Sequence, residues 1–227
     1  MIKNSFTMIE LVIVIIIVGI LAAVMLPRLE RNTLREAGIQ VVRHIQYTQH
    51  LAMISDVYDH SDPQWYKDRW QIKFGKTIGS DSMWSYTIYS DYGNKDGVPN
   101  VAEIANNPID SNRKMTGGYS TGTIAYGDSD ATNELNIGHE YSIKDIDFLG
   151  GCQSGDSQKL LSFDNIGRPF YRGAHLLDTP FMDGTHNRQI LSQCIIELCK
   201  VVDCTLATTE EKITILIEPE TGYVHLQ

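Results

Sequence analysis

Basic residues are scarce in this 227-residue chain: 19 Lys and Arg stand against 28 Asp and Glu, a formal net charge of −9. A broad nucleic-acid surface is excluded by that balance, because phosphate binding rests on clustered Lys and Arg. Catalytic constellations are missing too. The seven histidines fall at no nucleophile or metal spacing, no glycine-rich phosphate loop follows a strand, and no carboxylates are paired, so the chain is not read as an enzyme. Cysteine is limited to Cys152, Cys194, Cys199 and Cys204, all in the last third. Even-numbered cysteines of this kind suit an oxidising compartment and one or two disulfides, with Cys194, Cys199 and Cys204 open as partners of Cys152. The Cys194 and Cys199 spacing has a faint metal-binding look, but no second Cys or His pair has zinc-ligand spacing.

Charge is also absent from one long stretch. No charged or polar side chain lies between Leu11 and Leu26. Together with Phe6–Glu10 this makes ~21 residues, roughly 30 Å as a helix, which predicts one membrane-spanning segment. The run is too long for the core of a cleaved signal peptide, its basic start is Lys3 alone, and Glu10 interrupts its beginning. A carboxylate in a spanning helix costs on the order of 2.5–3.5 kcal/mol, so Glu10 calls for a partner.

The stretch Ser5-Phe6-Thr7-Met8-Ile9-Glu10-Leu11-Val12 resembles the prepilin peptidase site of type IV pilins and type II secretion pseudopilins. The resemblance implies cleavage between Ser5 and Phe6, N-methylation of Phe6, and Glu10 as fifth mature residue. Gly19 and Pro27 fall where family members carry a helix-loosening Gly and Pro. Ser5 departs from the usual Gly before the cut. The close match covers residues 1–30 and implies a structural filament subunit of a type IV pilus or type II secretion pseudopilus. Its implied partners are other pilin or pseudopilin subunits, prepilin peptidase, the inner membrane and its assembly platform. Glu10 would pair with the Phe6 ammonium of a neighbour, an attraction strong where the dielectric is low. The implied location is single-pass in the inner membrane, N-terminus cytoplasmic and C-terminal domain periplasmic. Arg28, Arg31 and Arg35 after the span would by themselves favour the opposite topology.

Past Pro27 the pattern becomes amphipathic, with Leu34, Ala37, Val41, Ile45, Thr48 and Ala52 at three- and four-residue steps. One helix from Thr7 to about Met53 is predicted. Strand patterns follow at Trp70–Phe74, Met83–Tyr89, Lys159–Phe163, Pro169–Arg172, Ile190–Leu198, Ile213–Ile217 and Tyr223–Leu226, and residues 106–158 read as long loops with short strands. The expected fold is α+β: a long N-terminal helix, half transmembrane and half amphipathic, packed on an antiparallel sheet. Its divisions are a leader at 1–5, a transmembrane and assembly helix at 6–27, a stem at 28–57 and a β-rich domain at 58–227. Leu161–Pro169 and Ile213–Val224 are similar to strand-turn patterns of H-type minor pseudopilins, and equally readable as turns joining hydrophobic strands.

Two further patterns remain. With Gly97 as sixth loop position, Asn94, Asp96, Asn100 and Glu103 fall at calcium-ligand positions three, five, nine and twelve, and Asp91 stands one place early, Tyr92 holding position one. No cofactor is required by this reading, but a structural calcium ion would suit the loop. The alternative is an Asx-rich hairpin turn. Arg168, Arg172, His175, Asn187 and Arg188 form a loosely basic set, as do Arg113 and Lys114. They support an alternative reading as a DNA-binding minor pilin in DNA uptake.

Overall fold

The computed structural model describes residues 8–120, 123–153, 159–179 and 188–227, with the side chains of 23–32 outside the description. The chain opens with helix α1 (Met8–Ile54) and continues through β1 (Trp70–Gly75), β2 (Ser85–Ser90), a short α2 (Ile137–Glu140) and β3 (Asp145–Gly150). Then come β4 (Lys159–Phe163), β5 (Pro169–Tyr171), β6 (Cys194–Cys199), β7 (Lys212–Ile217) and β8 (Val224–Leu226). The strands form two antiparallel four-stranded sheets, ordered β2-β1-β4-β5 and β3-β6-β7-β8.

Alternation explains how both sheets meet one helix. In β1, Ile72 and Phe74 point to the common core, and in β4 Leu161 and Phe163 do the same, opposite Ile196 and Leu198 of β6 and Ile215 and Ile217 of β7. Helix α1 supplies Leu34, Ala37, Val41, Ile45, Thr48 and Ala52, every one buried. Its stripe recurs at helical spacing and lies across β1 and β4 of one sheet and β7 and β8 of the other. At Gly38 the approach is closest: a Cβ there would sit 2.8 Å from Ile213 Cδ1 and 3.0 Å from Leu226 Cδ2.

Polar contacts fix the docking. Gln49 Nε2 donates to Gly167 O at 2.8 Å and to Thr221 O at 2.9 Å. Those carbonyls belong to the β4–β5 and β7–β8 turns, so one side chain ties a hairpin of each sheet to α1. The two stretches likened to H-type pseudopilins are these hairpins. Further along α1, Gln40 Nε2 donates to Tyr86 Oη at 3.0 Å, and His44 Nδ1 lies 2.6 Å from the same hydroxyl. Burial, and secondarily the Arg43 charge, lowers the His44 pKa to about 4. The imidazole is therefore neutral at pH 7.

Two expectations are corrected here. The sheet expected as a single layer is two sheets, and β3 (Asp145–Gly150), in the stretch read as long loops with short strands, forms the edge of the second beside β6. The transmembrane half is not supported: among the described residues no helix is long and apolar enough to cross a membrane. The single-pass inner-membrane location falls with it. The helix itself runs through Pro27 to Ile54 without interruption.

Candidate functional site

Every residue from Met8 to Ala22 is exposed, although all but Glu10 and Gly19 are apolar with sizeable side chains or Ala. Val, Ile and Leu there expose roughly half or more of their surface. Glu10 is the sole acidic residue of the first turn of α1, where the positive end of the helix dipole favours a carboxylate. The Ser5–Phe6 junction and the leader lie outside the described residues.

The second candidate begins where β2 ends. Asp91 is fully buried, and its Oδ2 accepts from the Gly97 backbone N at 2.8 Å. Gly97 has φ +76, and any Cβ would come within 2.1 Å of the His175 ring, so glycine is required on both counts. Its carbonyl accepts from Lys73 Nζ at 2.7 Å and Tyr89 Oη at 3.0 Å. Glu103, also buried, takes the Gly93 N at 3.0 Å on Oε1, and the Asn100 N and Nδ2 at 3.0 and 3.1 Å on Oε2. Asp96 accepts from Val98 N and Asn94 Nδ2, at 2.8 and 2.7 Å.

The loop thus closes on its own amides. Asp91, Asp96 and Glu103 do not bring three oxygens within 4.8 Å of one another; the sole such group among the described residues is Glu197, Cys199 and Cys204. Positive charge reaches the loop from two lysines. Lys73 feels Asp91 and Asp96, and Lys95 pairs with Asp62 and Asp68 at 2.8 Å each. Lys73 was not singled out in the sequence; its place opposite Ile72 and Phe74 in an alternating strand was the available signal.

One atom of the loop stays unmatched. Asp91 Oδ1 is buried with no hydrogen-bond partner. Burial first, then the charges of Glu103, Asp96 and Asp68, raises the Asp91 pKa to about 6, against the pull of the Gly97 N–H.

All four cysteines are in disulfides, Cys152 with Cys194 and Cys199 with Cys204. The group Glu197, Cys199 and Cys204 is therefore a disulfide beside a carboxylate that pairs with Lys212 at 2.7 Å. Cys194 and Cys199 belong to different bridges and are not a ligand pair.

The loosely basic set is largely occupied. Arg168 pairs with Asp164 at 2.7 Å and Arg113 with Asp110 at 3.3 Å, while Lys114 Nζ donates to Ile104 O at 3.2 Å. His175 packs against Gly97 and Gly173, and burial ahead of the nearby Lys73 and Arg188 charges lowers its pKa. Arg172 and Arg188 lie at adjoining strand ends, Tyr171 N donating to Arg188 O at 2.9 Å, and Asn187 is outside the described residues.

No protein-family model, curated protein or solved structure matches the chain.

Proposed function

We propose that this chain is a structural subunit of a pilin-type filament, whose copies associate through the N-terminal part of α1. The observation that carries the reading is the run Met8–Ala22, apolar and exposed on all sides. A helix that is apolar all round is stable in water only when something covers it. Like helices of neighbouring subunits are a cover of matching chemistry. Glu10 adds the register: among packed apolar helices its carboxylate is costly unless a cation meets it, and the amine of a neighbour's first residue after cleavage supplies one. The junction Ser5-Phe6 ahead of Glu10 supports processing there by a prepilin peptidase, with methylation of Phe6, in either a type IV pilus or a type II secretion pseudopilus. The domain beyond Leu34 then serves as a decorated head, held rigid by its core and disulfides.

The test uses the full chain expressed with its own leader and carrying Val14→Cys. Mild oxidation should give a disulfide-linked dimer of two copies, the native cysteines being already paired, and Glu10→Ala should reduce its yield by more than half. N-terminal mass spectrometry should find methylated Phe6. A chain that begins near Ala23, or whose introduced thiol stays uncross-linked, would overturn the reading.

A further inference from the structure

Between the last turns of α1, the segment 57–69 and the β4–β5 hairpin lies a cavity of about 60 Å³. Trp65, Tyr66, Trp70 and Phe163 wall it, and Arg69, Asp164 and Arg168 bring charge to it. The Asp164 carboxylate is spent within its own hairpin. Its Oδ1 accepts from the backbone N of Ile166 and of Arg168, at 3.2 and 2.9 Å, and its Oδ2 from Arg168 Nε at 2.7 Å.

Arg69 has no such settlement. It is 8% exposed, and its guanidinium lies 4.2 Å over the Phe170 ring. Its Nη1 is buried with no hydrogen-bond partner, and it makes no salt bridge among the described residues. Burial, partly offset by Asp164, lowers its pKa to about 10, which leaves it charged at neutral pH. A buried, charged donor without an acceptor is costly to keep. A ligand that supplies the acceptor removes that cost.

We propose that this cavity is a binding site for a carboxylate, anchored by Arg69 and flanked by Trp65 and Trp70. Three features select that chemistry. A guanidinium fork matches the two coplanar oxygens of a carboxylate. At about 60 Å³, roughly two waters' share of liquid volume, the cavity suits a group as small as a carboxylate. The neighbouring Asp164 charge disfavours a dianion such as phosphate relative to a monoanion. The carboxylate comes either from a free short-chain acid or from an acidic side chain of another protein.

Trp65 and Trp70 report on the cavity directly, since the chain's remaining tryptophan, Trp84, lines a different cleft. The full chain is titrated with sodium acetate at constant ionic strength, sodium chloride being the balancing salt. Tryptophan emission should change saturably, half-saturating on the order of millimolar for so small a ligand. Phosphate should give no saturable change. Arg69→Gln should abolish the response, and Arg69→Lys, which keeps the charge but not the fork, should weaken it at least fivefold. The wild-type result stands alone if neither variant folds. A short peptide with one Glu, compared with its Gln counterpart, identifies the source: tighter than acetate indicates a protein side chain, equal or weaker a free acid. A linear response, or the same response with acetate, phosphate and chloride, would overturn the site.

Discussion

The two ends of α1 obey different rules. From Leu34 to Ala52 one stripe of the helix is buried and the other faces water or polar partners, so this part is specified by the sheets beneath it. From Met8 to Ala22 there is no stripe, only a surface apolar all round except at Glu10, and among the described residues nothing in the domain covers it. The packed end owes its stability to this chain. The bare end waits for a surface outside it. A single unbroken helix can thus be packed into a fold at one end and stand bare at the other.

The largest effects should fall in the domain that holds the packed end. Replacing Cys152 and Cys194 by Ser should cost about 4 kcal/mol, since their bridge spans 42 residues, and loop closure in the chain-entropy model scales with the logarithm of that length. The same change at Cys199 and Cys204, separated by 5 residues, should cost about 2 kcal/mol. Urea unfolding of the oxidised chain and the two variants measures both. If the short bridge proves the more costly, the loop-entropy account is wrong for this domain.

Next, Ile45→Ala should lower unfolding free energy by roughly 3 kcal/mol, because a fully buried side chain leaves a cavity. Ile15→Ala, in the bare end, should shift it by about 0.5 kcal/mol or less. Equal losses at the two positions would erase the distinction between the ends. Gly38→Ala sharpens it. The added Cβ meets Ile213 and Leu226, at an overpacking cost of about 1–3 kcal/mol, against which helix propensity returns about 1 kcal/mol. Thermal denaturation should therefore show a modest loss, whereas Gly19→Ala, with nothing within 4 Å of its Cβ, should be neutral or slightly stabilising.

The smallest effect concerns pH. Asp91 has a folded pKa raised to about 6, above its usual value near 3.9. Between these two values the folded state binds more protons than the unfolded one, so the Asp91 contribution falls as pH rises from about 4 to 6 and is constant above. Asp91→Asn removes that dependence while retaining an acceptor for the Gly97 amide. It should be more stable than the wild type at pH 7 by on the order of 1 kcal/mol, with the nearby Lys73 ammonium moderating the gain. The difference should shrink towards pH 4. A difference that grows on acidification would show that Asp91 is stabilised as the anion.

The buried stripe of α1 was legible because helical periodicity leaves a mark on every third or fourth residue, and the hairpins at Leu161–Pro169 and Ile213–Val224 because alternation and turn residues coincide there. The edge strand of the second sheet was not marked out: β3, Asp145-Ile146-Asp147-Phe148-Leu149-Gly150, carries acids that depress strand propensity. Tertiary pairing overrides that preference: Asp147 meets Lys159 at 2.7 Å, and Asp145 Oδ2 accepts from Cys204 N at 3.1 Å. The apolar run was visible too, but among the described residues no helix is long and apolar enough to cross a membrane. In the acidic loop the ligand-like spacing was real, but spacing alone does not say whether an oxygen faces an ion or an amide. The Arg69 cavity could not be foreseen, since it joins α1, the 57–69 segment and β4–β5 across more than a hundred residues.

Strand β6 has one further consequence, and it is mechanical. Its first residue, Cys194, and its last, Cys199, each hold a disulfide, and its flanks pair with β3 and β7. Tension drawn along the chain from its two ends would pass through the Cys152–Cys194 and Cys199–Cys204 bridges and never load the residues they enclose. The oxidised protein should therefore extend less than the reduced one by about 160 Å of contour. The cross-linked domain is in this way shortened as a spring and confined to yielding outside its disulfide-closed loops.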